Sequence, residues 1–247
     1  MCLIIYKPAN ATVPTALLTS AIKENPDGFG VMFAENGKLN VVKDVDSSKV
    51  FEPVFRHTDK ELLIHLRWAT HGKVSPENTH PFKVDTGLWF MHNGVITIDT
   101  KDDPTKSDTW WFNERVVKPS RHAVFEAGFE DFLKCPLPSL GFQGIGNNNR
   151  LVFLDSQGRI QIINRGTWIE WEGLLLSNTY AYDAFGLGVI DKRPSNYYGT
   201  NWYDHEADST GLLDLQGLSL KEIKDLCWED PELIAEMIHD YLNQGWE

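Results

Sequence analysis

The second residue of the chain, Cys2, carries a thiol that can serve as a nucleophile. Removal of the initiator Met1 gives the same residue a free α-amine. The usual pKa of that amine is about 8 and that of a thiol about 8.5, so near neutral pH one group can act as a base for the other. This is an N-terminal-nucleophile arrangement. Taken alone, however, a cysteine here is more often a small apolar residue of a strand.

A second group of reactive side chains follows an apolar, strand-like run. Arg67 ends that run and precedes the loop Trp68-Ala69-Thr70-His71-Gly72. A guanidinium group can bind a carboxylate through two parallel hydrogen bonds, and an amino-acid substrate offers such a carboxylate. The alternatives are a buried structural ion pair for Arg67 and a loop histidine bonded to the backbone for His71.

Two further polar segments follow later in the chain. His92-Asn93-Gly94 closes an apolar run, and the Asn93 amide and Gly94 N–H are suitable oxyanion donors, although an Asn-Gly step is usually only a turn. Ser107-Asp108-Thr109 precedes an aromatic run. Asp108 there either caps a helix or pairs with an ammonium group.

The order of these segments resembles that of the class II glutamine amidotransferases, a family that includes the glutaminase domains of glucosamine-6-phosphate synthase and asparagine synthetase. The resemblance covers roughly residues 2–180. Asn25-Pro26-Asp27-Gly28-Phe29-Gly30 looks more like the stand-alone members, and short members of this sort occur in bacteriophages. The segments that carry the resemblance are Cys2, Arg67-Trp68-Ala69-Thr70-His71-Gly72, Asn78-Thr79-His80-Pro81-Phe82, His92-Asn93-Gly94 and Ser107-Asp108-Thr109.

The resemblance implies a role for each matching position. Cys2 is expected to be the nucleophile with its own amine as base, and Asn93 and Gly94 to form the oxyanion hole. Arg67 is expected to hold the glutamine α-carboxylate and Asp108 the α-ammonium group. The family reaction forms a γ-glutamyl thioester on Cys2 and releases ammonia, and water then frees glutamate.

The remaining expected substrate-binding residues shape the glutamine pocket: Trp68, Thr70, His71 and His92. The stretch between Gly94 and Asp108 is shorter than in the large synthases, so Asp102 and Asp103 are alternatives to Asp108. The resemblance calls for no cofactor.

The substrate predicted in this way is glutamine or another γ-glutamyl small molecule, and the two share the same amino-acid end. Ammonia released by the first reaction is expected to pass to a separate synthetase that acts as its acceptor. A third hypothesis is a non-catalytic protein of the same fold that binds a partner through the aromatic 194–204 loop or the C-terminal helices.

The resemblance also implies an Ntn-hydrolase fold, which is α+β: a four-layer αββα sandwich of two stacked, mainly antiparallel sheets. Strand-like runs that are apolar on both faces agree with sheets covered on both sides. Helical patterns lie at 13–24, 108–118 and 122–134. Strands are predicted at 2–6, 29–33, 38–42, 62–67, 88–91, 150–154, 160–163 and 174–177.

Near Arg193 the periodic apolar runs give way to a polar and aromatic segment without a period. This change predicts a main domain at 1–193 and an extension at 194–247. The extension begins with an aperiodic loop. Ser219 and Glu222 form a capping box for a first short helix. Asp230-Pro231 starts a second helix with an apolar stripe.

Composition narrows the possible functions further. The net charge of −12 argues against a broad nucleic-acid groove, which needs clustered Lys and Arg. Three widely spaced cysteines argue against a disulfide framework, and neither they nor the scattered histidines have metal-site spacing. The start lacks a basic region before its apolar run, so we expect no signal peptide, no membrane span and a reducing, cytoplasmic location.

Overall fold

Two antiparallel sheets form the framework of the computed structural model, which describes residues 2–180. The six-stranded sheet has the order β3-β2-β4-β1-β10-β9 and the four-stranded sheet the order β5-β6-β7-β8. The strands are β1 Leu3–Lys7, β2 Phe29–Glu35, β3 Lys38–Asp44, β4 Leu62–Leu66, β5 Phe82–Asp85, β6 Leu88–Asn93, β7 Arg150–Asp155, β8 Ile160–Ile163, β9 Ile169–Trp171 and β10 Leu174–Leu176.

The helices of the described residues are short and cover the outer faces of the sheets. They are α1 Thr15–Glu24, α2 Phe51–Arg56, α3 Asp108–Phe112 and α4 Phe129–Lys134. Helix α3 continues directly into a π-helical turn, Asn113–Val117.

The two-residue period of each strand explains the layers, because successive side chains point to opposite faces of a sheet. In β1, Leu3 and Ile5 pack under α1, whereas Ile4 packs between the two sheets. In β7, Leu151 and Phe153 pack under the helical segment 112–133, whereas Val152 packs between the sheets. The result is the four-layer αββα arrangement of two stacked antiparallel sheets, which confirms the predicted fold class.

The predicted strands are confirmed to within about two residues at each end, and so are the helix near 13–24 and the helical stretch 108–118. The predicted helix at 122–134 is wrong over its first half. Only residues 129–134 are α-helical, because Gly128 adopts a left-handed conformation (φ 89°) that separates them from a 3₁₀ turn at Arg121–Ala123. Strands β5 and β9 and helix α2 were not predicted.

The predicted domain boundary near Arg193, the 194–204 loop and the two C-terminal helices lie outside the described residues. Within residues 2–180, no helix combines the length and the apolar character that a membrane crossing requires.

Gly30 is the second residue of β2, where the strand packs against the His80-Pro81 loop. A Cβ atom at this position would lie 1.9 Å from the His80 carbonyl oxygen, a main-chain atom that cannot rotate away. We expect Gly30→Ala to lower the free energy of unfolding by about 3 kcal/mol, the upper end of the usual cost of overpacking.

Chemical denaturation measures this change. Gly166→Ala is the matched control, because an added Cβ there meets no described atom within 4 Å. Equal stability of Gly30→Ala and Gly166→Ala would contradict the close packing of β2 on this loop.

Candidate active site

The register of the central strand pair places Cys2 beside Arg67. Strands β1 and β4 are antiparallel with Leu3 opposite Leu66, so the residue before β1 lies next to the residue after β4. The Trp68 N–H donates to Cys2 Sγ at 3.3 Å, and the thiol lies 3.4 Å from the Trp68 carbonyl oxygen, to which it donates. The thiol is therefore held by the main chain of the Arg67 loop.

The electrostatic surroundings of Cys2 favour its neutral thiol. Burial raises the pKa of the thiol, and this effect exceeds the lowering by the Trp68 N–H and by the Arg67 charge. The side chain is half-buried. At neutral pH the sulfur is therefore protonated and requires a base before it can attack a substrate.

Arg67 is 3% exposed and keeps part of its guanidinium group open. Nη2 donates to the carbonyl oxygens of His71 (3.3 Å) and Lys73 (3.4 Å). Nη1 is buried without a hydrogen-bond partner among the described residues. A buried guanidinium with an open N–H is suited to bind an anion that enters from outside.

The segment that contains Asp27 holds the Arg67 loop in place. The Asp27 N–H donates to the Arg67 carbonyl oxygen at 3.0 Å, and the Arg67 N–H donates to the Gly28 carbonyl oxygen at 2.8 Å. The Asp27 side chain accepts from the Ala69 N–H at 2.8 Å. These bonds fix the backbone on both sides of the guanidinium group.

Ser177 connects the two sheets at the site. Its Oγ accepts from the Ile4 N–H (2.8 Å) in the six-stranded sheet and from Asn93 Nδ2 (2.9 Å) at the end of β6 in the other sheet. Asn178 continues the connection, since its Nδ2 donates to the Cys2 carbonyl oxygen at 2.6 Å. The Cys2 backbone and the Asn93 amide are thus held by consecutive residues.

Gly94 approaches the loop before β7 too closely for any other residue. It has a φ of 146°, and a Cβ atom would lie 2.5 Å from Asn149 Oδ1. The close approach orients the main chain after Asn93 towards the cleft.

His92 joins β6 to α3 and to the loop before β7. Nε2 lies 2.9 Å from Asn149 Oδ1, an acceptor, so Nε2 carries the ring proton. Nδ1 then accepts from the Thr109 hydroxyl at 2.8 Å. Burial lowers the pKa of His92, so this histidine is neutral and positions its neighbours.

Asp108 is buried at the start of α3, where Ser107 is the helix cap and accepts from the Trp110 N–H. The Asp108 carboxylate accepts one main-chain hydrogen bond on each oxygen, from the Ile96 N–H (2.7 Å) and the Thr109 N–H (2.8 Å). The Thr109 hydroxyl also lies 3.4 Å from Asp108 Oδ1, but its proton is donated to His92 Nδ1 at 2.8 Å. Each oxygen keeps a lone pair for a further donor.

The two alternatives to Asp108 lie elsewhere. Asp102 is solvent-exposed and forms an ion pair with Arg115. Asp103 is 2.9 Å from the Thr105 N–H, from which it accepts. The structure thus brings only Asp108, of these three carboxylates, into the cleft.

One narrow cleft collects nearly all the residues predicted for the site. Asn93 is not part of its wall but lies next to Gly94, which is. Thr70 and His71 are exposed, with His71 Nδ1 3.3 Å from the Thr70 hydroxyl. The wall includes Cys2, Arg67, Trp68, Thr70, His71, Asn78, His80, His92, Gly94, Ser107, Asp108 and Thr109.

Sequence reasoning missed four residues that organise this cleft: Asp27, Asn149, Ser177 and Asn178. The first lies in a segment noted only for its family likeness. Asn149 precedes a predicted strand, Ser177 is the last residue of another, and Asn178 follows it, so a polar residue at a strand end was the only signal available.

Three histidines, His65, His80 and His92, meet beside the cleft. The rings of His65 and His80 stack with centroids 3.9 Å apart, and His80 lies 6.5 Å from His92. Within residues 2–180, no group of three or more His, Cys, Asp or Glu side chains could hold a metal ion.

Comparison with known proteins gives sequence relatives over part of this chain. Glutamine–fructose-6-phosphate aminotransferase [isomerizing] of Buchnera aphidicola subsp. Acyrthosiphon pisum (strain APS) is 40% identical over 75 residues, which are 28% of this chain and 12% of the relative. A putative glutamine amidotransferase of Haemophilus influenzae (strain ATCC 51907 / DSM 11121 / KW20 / Rd) is 34% identical over 80 residues, 28% of this chain and 26% of the relative. No protein-family model matches the chain.

Among solved structures, glutamine phosphoribosylpyrophosphate amidotransferase from B. subtilis, complexed with ADP and GMP, aligns with 75% of this chain and 44% of its own chain. The identity is 17% and the TM-score 0.44. The sequence relatives confirm the resemblance to class II glutamine amidotransferases that the motifs indicate. The chain thus spans only 12% and 26% of the length of the two curated relatives.

The buried histidines predict a pH dependence of stability. Burial lowers the pKa of His65 to about 3, so this imidazole stays neutral in the folded protein but takes a proton below about pH 6.5 in the unfolded chain. The free energy of unfolding therefore falls as the pH drops from about 6.5 towards 3. For this group the slope is about 1.4 kcal/mol per pH unit.

We expect His65→Gln to reduce that slope by about one proton, measured by denaturation between about pH 6 and pH 4. Glutamine keeps a donor for the His92 carbonyl oxygen, which His65 Nε2 contacts at 3.1 Å. His122→Gln, an exposed control, is expected to leave the slope unchanged. A slope that is the same in wild type and His65→Gln would contradict the assignment.

Proposed function

We propose that this chain, a relative of class II glutamine amidotransferases, hydrolyses the side-chain amide of glutamine and yields glutamate and ammonia. One observation supports this most strongly. The Cys2 thiol shares a single cleft with the Asp108 carboxylate and with an Arg67 N–H that has no partner among residues 2–180. These two groups are the complements of an amino acid's two charged groups.

Substrate binding uses the hydrogen-bond donors and acceptors of the cleft that are still free to pair with a ligand. The Arg67 Nη1 donates to the α-carboxylate, and the remaining lone pairs of Asp108 accept from the α-ammonium group. Because both side chains are buried, the two contacts form in surroundings where an ion pair is stronger than in water. Trp68, Thr70 and His71 border the pocket. His92 holds the end of β6 in place through its hydrogen bonds to Thr109 and Asn149.

Chemistry begins when the free α-amine of Cys2 takes the thiol proton. The thiolate attacks the amide carbon, and the oxyanion is stabilised by the Gly94 N–H and by the Asn93 Nδ2 hydrogen that Ser177 does not use. The proton returns to the departing nitrogen, which leaves as ammonia, and the carbon–sulfur bond remains as a γ-glutamyl thioester. Water, activated by the same amine, cleaves that thioester to glutamate and restores the thiol.

The ammonia is expected to pass to an acceptor enzyme on a separate chain, in the cytoplasm. The existence of an acceptor, although not its place on a separate chain, is supported by a relative that is a glutamine–fructose-6-phosphate aminotransferase, of which the matched segment is 12%. The mechanism uses no cofactor, because the thiol is the nucleophile, the α-amine transfers the protons, and the Gly94 N–H and the Asn93 amide stabilise the oxyanion.

The nucleophile can be tested directly. We expect Cys2→Ala to abolish glutamate release from glutamine, with a loss of at least about 10³-fold, because Cys2 is the only thiol that lines the cleft among residues 2–180. Intact mass is expected to show loss of Met1, and one adduct after exposure to a glutamine-analogue electrophile. Cys135→Ala, at an exposed cysteine, is the control and is expected to keep full activity.

An adduct at Cys135 or Cys227, or an unchanged rate in Cys2→Ala, would reject the proposed function. Retained Met1 without glutaminase activity would favour the non-catalytic hypothesis. Faster turnover of γ-glutamyl peptides than of free glutamine would assign the same residues to a different γ-glutamyl substrate.

The proposed contact with the α-ammonium group of glutamine can be tested by comparing Asp108 with the nearby Asp102. We expect Asp108→Asn to lower kcat/KM for glutamine by about 100-fold, because a charge-assisted contact is lost in a buried site. Asp102→Asn, at an exposed ion pair, is the matched control and is expected to change kcat/KM by less than about twofold. Equal losses in both variants would remove Asp108 from the ammonium site.

A further inference from the structure

His80 is a buried imidazole that the proposed reaction leaves without a role. The residue is 5% exposed and belongs to the wall of the Cys2 cleft. Both of its ring nitrogens are buried, and neither has a hydrogen-bond partner within the part of the chain that the structure describes. Because buried polar atoms are usually paired, two open nitrogens on one ring point to a partner that residues 2–180 do not supply, such as a bound ligand.

The ring of His80 is held rigidly on all sides. It stacks on His65 at 3.9 Å and meets the edge of Phe82 at 4.7 Å. Lys43 Nζ donates to the Thr79 and Pro81 carbonyl oxygens at 2.8 and 3.2 Å, which fixes the main chain on both sides. A ring that is fixed before binding loses little conformational entropy when a ligand arrives.

The protonation state of His80 makes it a donor and not a base. Burial lowers the pKa of His80 well below its usual value, and the neighbouring His65, His92 and Arg67 lower it further. The imidazole is therefore neutral at physiological pH, with one N–H and one lone pair. A histidine with so low a pKa is a poor general base for a thiol.

The place of His80 and Arg67 in the wall of one cleft favours a ligand group that both can bind. Arg67 also has an open buried N–H, on Nη1, and lines the same cleft. Two open donors of a guanidinium and a neutral imidazole suit the two oxygens of a single carboxylate. A metal ion is a poorer fit, because His65 Nε2 already bonds the His92 carbonyl oxygen.

We propose that His80 is a second substrate-binding residue, whose ring N–H donates to the α-carboxylate that Arg67 also binds. The inference rests on the proposed function for the identity of the substrate. It adds a specificity device: two donors of different charge select an α-carboxylate over a neutral or absent group at that position.

The test combines a side-chain change with a substrate change. His80→Phe keeps a ring that can stack on His65 but has no nitrogen. Rates are measured with L-glutamine and with 4-aminobutanamide, which is glutamine without its α-carboxylate. We expect kcat/KM for glutamine to fall about tenfold, mainly through KM, as one hydrogen bond to a charged group is lost. The rate with 4-aminobutanamide is expected to change less than about twofold.

Two controls separate binding from folding. His80→Gln restores an N–H on a side chain of similar reach. We expect its KM for glutamine to lie between the values of the wild type and of His80→Phe. Equal losses on both substrates, in either variant, would show that His80 only supports the structure and would overturn the proposal.

A binding measurement keeps the inference separate from the reaction. If the wild type hydrolyses neither amide, the proposed function fails, and thermal shift with L-glutamate against 4-aminobutanoate then tests His80 alone. A shift with L-glutamate that His80→Phe reduces would support the contact. An equal shift in both proteins, or none in the wild type, would overturn it.

Discussion

Antiparallel pairing of β1 with β4 brings the start of the described chain to the end of a buried strand. Leu3 lies opposite Leu66, so the next residues outward, Cys2 and Arg67, become neighbours. Main-chain hydrogen bonds set this register, and a slip of one residue would turn the apolar side chains of β1 to the wrong layer. The position of the nucleophile relative to the guanidinium group therefore depends on core packing more than on any contact between the two side chains.

Closely spaced polar contacts connect the two sheets behind the cleft. Ser177 links Ile4 to Asn93, and His92 links the start of α3 to Asn149. All of these groups are buried, and their mutual hydrogen bonds recover the free energy that burial costs them. The resulting network holds the proposed oxyanion donors on a rigid support, as preorganised stabilisation requires.

Some buried polar atoms at the site have no hydrogen-bond partner among residues 2–180, including Asn93 Oδ1 within this network. Arg67 Nη1 and both His80 ring nitrogens are buried without partners among residues 2–180. Leaving such groups unpaired costs free energy in the empty protein, and a ligand that pairs with them recovers it on binding. Part of this energetic cost thus lies where a carboxylate is proposed to bind, and functional sites commonly carry such a cost.

The sequence by itself determined the strands, because the apolar pattern of a strand is visible in neighbouring residues. It also determined the order of the polar segments that indicated the family. It also predicted that Cys2, Arg67 and Asp108 belong to one site, although 106 positions separate the first from the last. Local pattern failed where one residue overrode it, as Gly128 did in the predicted helix at 122–134.

Only the tertiary structure decided which polar strand ends face the cleft, because that depends on pairing between residues far apart in the chain. Ser177 lies 173 positions from Ile4, and no local signal marks the hydroxyl that joins them. The same holds for the open nitrogens of His80, since an unpaired group is defined by the absence of neighbours that only the folded chain could supply.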